Sequence, residues 1–181
     1  MTCPRCGYHQ HERHVRNVGR RMLRALGVLV VLWAIGLALL PSPGRADDDA
    51  LTLSRALVAE AGPRLRDDHV AILGVLQVRA DRVGSTPALV ARRYCPSVRG
   101  DARGAHGRSV ASMDLDGLRA YAPDVVALAE AWLDGERPPS PCRGRPDHWG
   151  APYGEDLARA QRAGWRRVSC GNDRNAFWEA S

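Results

Sequence analysis

The stretch Leu51–Arg79, LTLSRALVAEAGPRLRDDHVAILGVLQVR, predicts two consecutive helices and decides the fold. In the first helix, Leu53, Leu57 and Glu60 recur at positions i, i+4 and i+7 and therefore share one face. Gly62-Pro63 follows directly and ends this helix, because glycine and proline both disfavour its continuation. The result is an amphipathic helix with one carboxylate on its apolar face.

Glu60 is the residue that departs from this apolar pattern. A charge is expensive to bury, so apolar surroundings raise the pKa of a carboxyl group and keep its proton available near neutral pH. A general acid for glycosidic cleavage requires that property. The alternative is a glutamate at the helix end that points away from the core or pairs with an arginine. Spacing alone leaves both interpretations open.

The second helix begins at Asp67 or Asp68, which are good N-cap residues, and runs to about Arg82. Its apolar residues wrap widely around the axis and predict a buried central helix. Further along, the sequence predicts a third helix from Pro87 to about Cys95, a loop over residues 99–112 rich in Gly, Arg and Ser, and a helix over residues 123–133.

The C-terminal third predicts a small β element. After a proline-rich segment and a short helix over residues 155–163, the segments 165–169 and 175–178 are typical of short strands, and Gly171-Asn172-Asp173 between them favours a turn. The predicted fold class is therefore α+β, mainly α, with a small C-terminal β element.

The N-terminus predicts export. Residues 25–40 form an uncharged apolar run, Arg20, Arg21 and Arg24 precede it, and Gly44-Arg45-Ala46 follows as a cleavage site for a leader peptidase. The organisation is then a basic tail at 1–24, a signal peptide or anchor with its cleavage region at 25–46, and a domain at 47–181. Sixteen apolar residues are few for a membrane span, but Met22 and Leu23 could lengthen the run into an inner-membrane anchor. A buried soluble helix is the third alternative.

The formal net charge of +6 belongs to the N-terminal segment. Seven of the 26 basic residues and one of the 20 acidic residues lie within 1–46, which leaves 19 of each in 47–181. A nucleic-acid partner needs a basic surface, so a neutral domain argues against one. We expect a membrane contact only through the N-terminal segment, if that segment remains uncleaved.

The five cysteines divide in the same way. Cys3 and Cys6, near three histidines, could hold zinc in the N-terminal tail, although their spacing fits no standard finger. In an exported domain, two of the remaining three should pair. We predict a Cys142–Cys170 disulfide, because both cysteines flank the segments expected to pair as strands, with Cys95 free and partly buried.

Five motifs in order resemble the cell-wall hydrolase family typified by spore-cortex-lytic enzymes. LVAEA at 57–61 is similar to its (A/Y)-x-E-A motif, and VAILGVLQVR at 70–79 to the apolar helix that follows. AWLDG at 131–135 resembles A-x-x-(V/L)-L-x-G, and DHWGAP at 147–152 resembles (A/T)-H-(F/W)-x-x-P. The closing strand of the family resembles the segment from Gly171 to Trp178.

The resemblance implies an exported enzyme with a lysozyme-like fold that cleaves peptidoglycan between N-acetylmuramic acid and N-acetylglucosamine. Glu60 matches the catalytic glutamate and acts as acid and then base, with attack by the muramyl 6-hydroxyl in a lytic transglycosylase. His148 and Trp149 would line the sugar groove, and Asp147 is the candidate second carboxylate or substrate contact. No cofactor and no metal are implied in the domain.

Two other functions stay open from the sequence. The same fold could serve as a catalytically inactive module that binds the cell wall or assists its assembly. Alternatively, the chain is a membrane protein whose zinc-binding cytoplasmic tail is the functional part. The location that we expect for the domain is the periplasm or cell envelope.

Overall fold

The computed structural model describes residues 43–102, 104–171 and 174–180. The predicted tail at 1–24 and nearly all of the segment at 25–46 lie outside these residues, so the signal, the anchor and the zinc site at Cys3 and Cys6 stay predictions. Among the described helices, none is long and apolar enough to cross a membrane.

Within the described ranges the chain forms eight helices and three short strands. They are α1 (Pro43–Ala61), α2 (Asp67–Val83), α3 (Pro87–Tyr94), α4 (Pro96–Arg99), α5 (Gly104–Ser112), α6 (Leu115–Tyr121), α7 (Pro123–Leu133), β1 (His148–Gly150), α8 (Gly154–Arg162), β2 (Arg166–Val168) and β3 (Ala176–Glu179). The coarse fold class, mainly helical with a small C-terminal sheet, is confirmed. The lysozyme-like fold stays a prediction.

Local chemistry sets the helix ends around α2 and α3. α2 ends at Gly84, whose φ of 61° lies in the left-handed region that favours glycine. Thr86 caps α3, since its hydroxyl accepts a hydrogen bond from the N–H of Leu89 at 3.3 Å, and Pro87 occupies the first helical position as predicted. These capping signals act over a few residues, so the helix ends can be predicted from the sequence.

The prediction of a loop over residues 99–112 is wrong, because α5 lies within it. Its residues show no apolar repeat, so the sequence offers little helical signal. The helix is stabilised by tertiary contacts instead: Val110 is fully buried in the core, and the His106 ring lies within hydrogen-bonding distance, 3.2 Å, of the carbonyl of Val58 on α1.

The central helix is α1, where the sequence had suggested α2. α1 contacts each of α2 to α7, because its buried face combines leucine and valine with alanines that allow close approach. α2 is also buried along its apolar face, from Ala71 to Leu76, but it packs mainly on α1, α3 and β1. Glu60 therefore stands near the C-terminal end of the helix around which the domain is built.

The small sheet is antiparallel with the order β1-β3-β2. His148 and Arg167 both pair with Trp178 on the central strand, one from each side. β2 and β3 correspond to the two predicted strands, whereas β1 was not predicted. The predicted Cys142–Cys170 disulfide is confirmed and joins the segment before β1 to the segment that follows β2. Cys95 is free, as predicted, and fully buried.

Candidate active site

A groove of about 690 Å³ lies beside the C-terminal end of α1. Glu60, His148 and Trp149, three of the four functional residues suggested by the sequence, line it together. The helices α2 and α3 form much of one wall, and β1, α8 and the tryptophans Trp165 and Trp178 contribute the other lining. Residues that are far apart in the chain thus meet at one surface.

Glu60 is half-buried in this groove, and its Oε2 accepts a long hydrogen bond of 3.4 Å from the indole N–H of Trp149. Burial raises the pKa of Glu60 above its ordinary value, the indole hydrogen bond opposes that rise, and the negative charge of Asp156 adds to it. Among the described residues, no arginine forms an ion pair with Glu60. A raised pKa retains the proton to higher pH, which is a property that a general acid needs.

Asn175 fixes the backbone at Glu60. Its side-chain N–H donates to the carbonyl of Glu60 at 3.2 Å and to Oδ2 of Asp68 at 3.3 Å. The same carboxylate oxygen accepts the backbone N–H groups of Arg174 and Asn175, at 3.1 and 3.2 Å. This network joins the end of α1 to the start of α2 and the approach to β3, and it ties the backbone that carries Glu60 to both.

The loop after Glu60 is held by a buried histidine. Nδ1 of His69 accepts the backbone N–H of Arg66 at 3.1 Å, so its Nε2 carries the proton that it donates to the carbonyl of Gly62 at 2.9 Å. Burial lowers the pKa of His69, although the protonated ring would donate to the Gly62 and Arg66 carbonyls, which opposes this decrease. The neutral ring therefore closes the turn between α1 and α2.

His148 and Trp149 reach the groove from β1. The His148 ring stacks on Trp165 with 3.7 Å between ring centroids, and its Nδ1 donates to Oδ1 of Asp147 at 2.7 Å. Burial lowers the pKa of His148, the hydrogen bond to Asp147 raises it, and the positive charge of Arg79 lowers it, with a net decrease. The orientation of this ring is thus set by one carboxylate and one indole.

Asp147 does not take the position expected for a substrate contact. Its side chain is 0% exposed, and its carboxylate accepts hydrogen bonds from His148, from Arg82 and from the N–H of Ala180 at 3.0 Å. Burial by itself would raise the pKa of Asp147, but the Ala180 N–H, His148 and Arg82 together lower it below its ordinary value. Asp147 instead positions His148 and Arg82 from behind the groove.

The carboxylate that does share the groove with Glu60 is Asp156, on the first turn of α8. Its Oδ2 accepts the N–H of Ala151 at 3.0 Å, and a Cβ at position 150 would lie 2.7 Å from that oxygen, so Gly150 permits this approach. The sequence did not suggest this residue. An acid in the first turn of a helix is common for electrostatic reasons alone, so no local signal marks it.

Cys95 lies near Glu60 but is unsuited to nucleophilic chemistry. Burial is the main cause that raises the pKa of its thiol to about 12, so the reactive thiolate is not formed near neutral pH. Among the described residues, no group of three or more histidine, cysteine or acidic side chains is arranged to hold a metal ion.

In comparisons with known proteins, no family model matches the chain, and neither a curated protein nor a solved structure matches it at a significant level.

Proposed function

We propose that this protein is an exported enzyme that cleaves the bond between N-acetylmuramic acid and N-acetylglucosamine in peptidoglycan. The observation that carries the proposal is Glu60: a half-buried carboxyl group with a raised pKa that opens into a groove lined by aromatic side chains. The five motifs that resemble the spore-cortex-lytic family add support, since Glu60 occupies the position of the catalytic glutamate in that pattern.

The proposed first step is proton transfer from Glu60 to the glycosidic oxygen. The bond from this oxygen to the anomeric carbon of the muramyl residue breaks, and positive charge develops on that ring. Glu60, now a carboxylate, then accepts the proton of the group that attacks the anomeric carbon. The raised pKa serves the first half of this cycle, because it keeps the proton on Glu60 before the bond breaks.

The nucleophile follows one of two routes. The muramyl 6-hydroxyl attacks within the same residue and forms a 1,6-anhydro product, which requires no second carboxylate. Alternatively, water attacks and leaves a reducing end. For this route we assign Asp156, which lines the groove with Glu60, the role of stabilising the developing positive charge or orienting that water. The two products differ in mass by one water molecule.

The aromatic lining suits a sugar strand. Tyr94, Trp149, Trp165 and Trp178 all contribute to the groove, and flat apolar rings pack against the faces of pyranoses, whose hydroxyl groups then remain available for polar contacts. The Cys142–Cys170 disulfide supports an oxidising location, because such bonds are rare in the cytosol. A periplasmic or envelope enzyme meets its polymeric substrate there.

The experiment is digestion of purified sacculi with the full chain in mild detergent, followed by mass analysis of the released muropeptides. Anhydro products indicate a transglycosylase and reducing ends a hydrolase. A Glu60→Gln protein is the control for contaminating activity. If the folded wild-type protein binds sacculi and releases nothing, the enzyme proposal fails and the binding module takes its place.

A further inference from the structure

The groove is rich in arginine. Two acidic side chains, Glu60 and Asp156, line it against four guanidinium groups, which belong to Arg79, Arg82, Arg93 and Arg159. This excess stands out because residues 47–181 as a whole are neutral. Since positive charges gathered in one cleft raise the local concentration of anions, the distribution points to a negatively charged ligand.

Two of the four arginines already have acidic partners. Arg82 forms an ion pair with the buried carboxylate of Asp147, and Arg159 approaches Glu155 to 3.9 Å on the surface of α8. Their charges are therefore compensated within the domain, Arg82 more fully than Arg159. Arg79 and Arg93 have no such acidic partner among the described residues.

Arg79 is a half-buried guanidinium group beside two aromatic rings. Its Cζ lies 4.9 Å from the centre of the Tyr94 ring and 5.4 Å from the centre of the Trp149 ring. Its Nε donates to the carbonyl of Asp147 at 2.6 Å, whereas its two terminal nitrogens form no hydrogen bond with any described residue. Within the same ranges, no carboxylate lies at ion-pair distance from it.

Arg93 approaches the same aromatic ring. Its Cζ lies 5.6 Å from the centre of Tyr94, and it too has no ion pair with a described acidic residue. The Tyr94 ring is therefore approached by two guanidinium groups. Burial lowers the pKa of Arg79, which is the electrostatic cost of holding a desolvated cation there. An anion beside Arg79 would offset this cost.

We propose that Arg79 and Arg93, which both approach Tyr94, form a carboxylate-binding subsite, and that the glycan bound in the groove carries this carboxylate. The inference rests on the proposed function, because it takes the anion to be part of the peptidoglycan strand. The planar fork of arginine matches a carboxylate, to which it can donate two parallel hydrogen bonds. Neutral glycans such as chitin fragments would lack this contact.

Peptidoglycan offers two sources of a carboxylate. The peptide stems end in carboxyl groups, and the lactyl group of the muramyl residue becomes a free carboxylate where an amidase has removed the stem. Two kinds of strand therefore distinguish the two sources: strands that retain their peptide stems and strands from which an amidase has removed them. The same strands with their carboxyl groups converted to amides serve as neutral controls.

The test is the affinity of full-length protein with Glu60→Gln, which prevents turnover, for these soluble strands in mild detergent. We expect at least one type of carboxylated strand to bind about ten-fold or more tightly than its amidated form, since hydrogen bonds to charged groups are strong. Adding Arg79→Gln or Arg93→Gln should remove most of this difference. Arg108→Gln, an exposed arginine on α5 outside the groove, is the matched control and should leave it unchanged.

Equal affinity for carboxylated and amidated strands would overturn the subsite. So would variants at Arg79 and Arg93 that lose the same amount of affinity for both kinds of strand. Arg79→Lys retains the charge and covers the case in which Arg79→Gln fails to fold. Cleavage by the wild-type protein separates this proposal from the previous one. If binding depends on the carboxylate but no strand is cleaved, the proposed enzymatic activity is wrong and the subsite stands. If amidated strands are cleaved as well as carboxylated ones, the subsite is wrong and the enzymatic activity stands.

Discussion

The indole N–H of Trp149 lies 3.4 Å from Oε2 of Glu60, which joins β1 to the end of α1 across 89 residues of sequence. Arg79 approaches the same tryptophan, and its Cζ lies 5.4 Å from the centre of the Trp149 ring. One tryptophan thus contacts the candidate acid and an unpaired cation in the same groove. Substitutions at these residues should therefore change the chemistry of the groove more than the stability of the fold.

Glu60→Gln should strongly lower the rate of cleavage while the protein stays folded. Loss of a general acid lowers the rate by about 10²–10⁴-fold. The amide is nearly isosteric and suits a half-buried site, so we expect an unchanged or slightly higher melting temperature. Sacculus digestion and thermal melting on one preparation test this, with Glu136→Gln at an exposed acid as control. Full activity in folded Glu60→Gln protein would remove Glu60 from the mechanism.

Trp149→Phe and Asp156→Asn should move the pH dependence of kcat/KM in opposite directions. Its basic limb reports the pKa of Glu60, because only the protonated group acts as an acid. The Trp149 hydrogen bond lowers the pKa of Glu60, so Trp149→Phe should shift the basic limb to higher pH. The negative charge of Asp156 raises this pKa, so Asp156→Asn should shift the limb to lower pH. Shifts of both variants in one direction would contradict the assignment.

Asp147→Asn should destabilise the fold by about 2–3 kcal/mol, because it leaves Arg82 and His148 without their anionic partner. The folded-state pKa of Asp147 lies below its ordinary value of 3.8, so its contribution is complete above that pH and is lost as the pH falls further. Chemical denaturation between pH 7 and pH 3 should show the difference from wild type shrinking. Asp81→Asn, an exposed acid 3.7 Å from Arg145, should have little effect at any pH.

His69→Gln should lower the free energy of unfolding by about 1–3 kcal/mol at pH 7, because the N–H of Arg66 loses its acceptor. Burial lowers the pKa of His69 below the ordinary 6.5, so the unfolded chain binds the proton more readily than the folded protein does. The contribution of His69 to the free energy of unfolding is therefore complete above pH 6.5 and is lost as the pH falls. His148 adds a dependence of the same sign. The difference between wild type and variant should therefore narrow in acid; a difference that widens would contradict this account.

Loss of the Cys142–Cys170 disulfide should cost about 3–4 kcal/mol, the value expected from chain entropy for a bridge spanning 28 residues. A reductant should lower the melting temperature of the wild-type protein and have no effect on a Cys142→Ala, Cys170→Ala double variant. Cys95→Ala should retain the response to the reductant. Peptide mapping without reduction that places Cys95 in the main bridge would contradict the pairing.

Much of the fold could be predicted because its signals act over a few residues. The Gly62-Pro63 break, the Thr86 cap and the apolar repeat of α2 are each complete within a turn or two of chain. The cysteine pair could be predicted from its position beside two strand-like segments. α5 escaped prediction, since its helix depends on the burial of Val110 by other elements rather than on its own composition.

For the candidate site, the sequence by itself determined a carboxylate on an apolar helical face and a histidine–tryptophan pair in the motif at 147–152. Only the tertiary structure decided that Asp156 shares the groove with Glu60 and that Asp147 lies behind it. Both are ordinary acids in their local context, so only their neighbours distinguish them. Those neighbours lie far away in the chain, as Arg82 does from Asp147 at a separation of 65 residues, and packing around α1 brings them together.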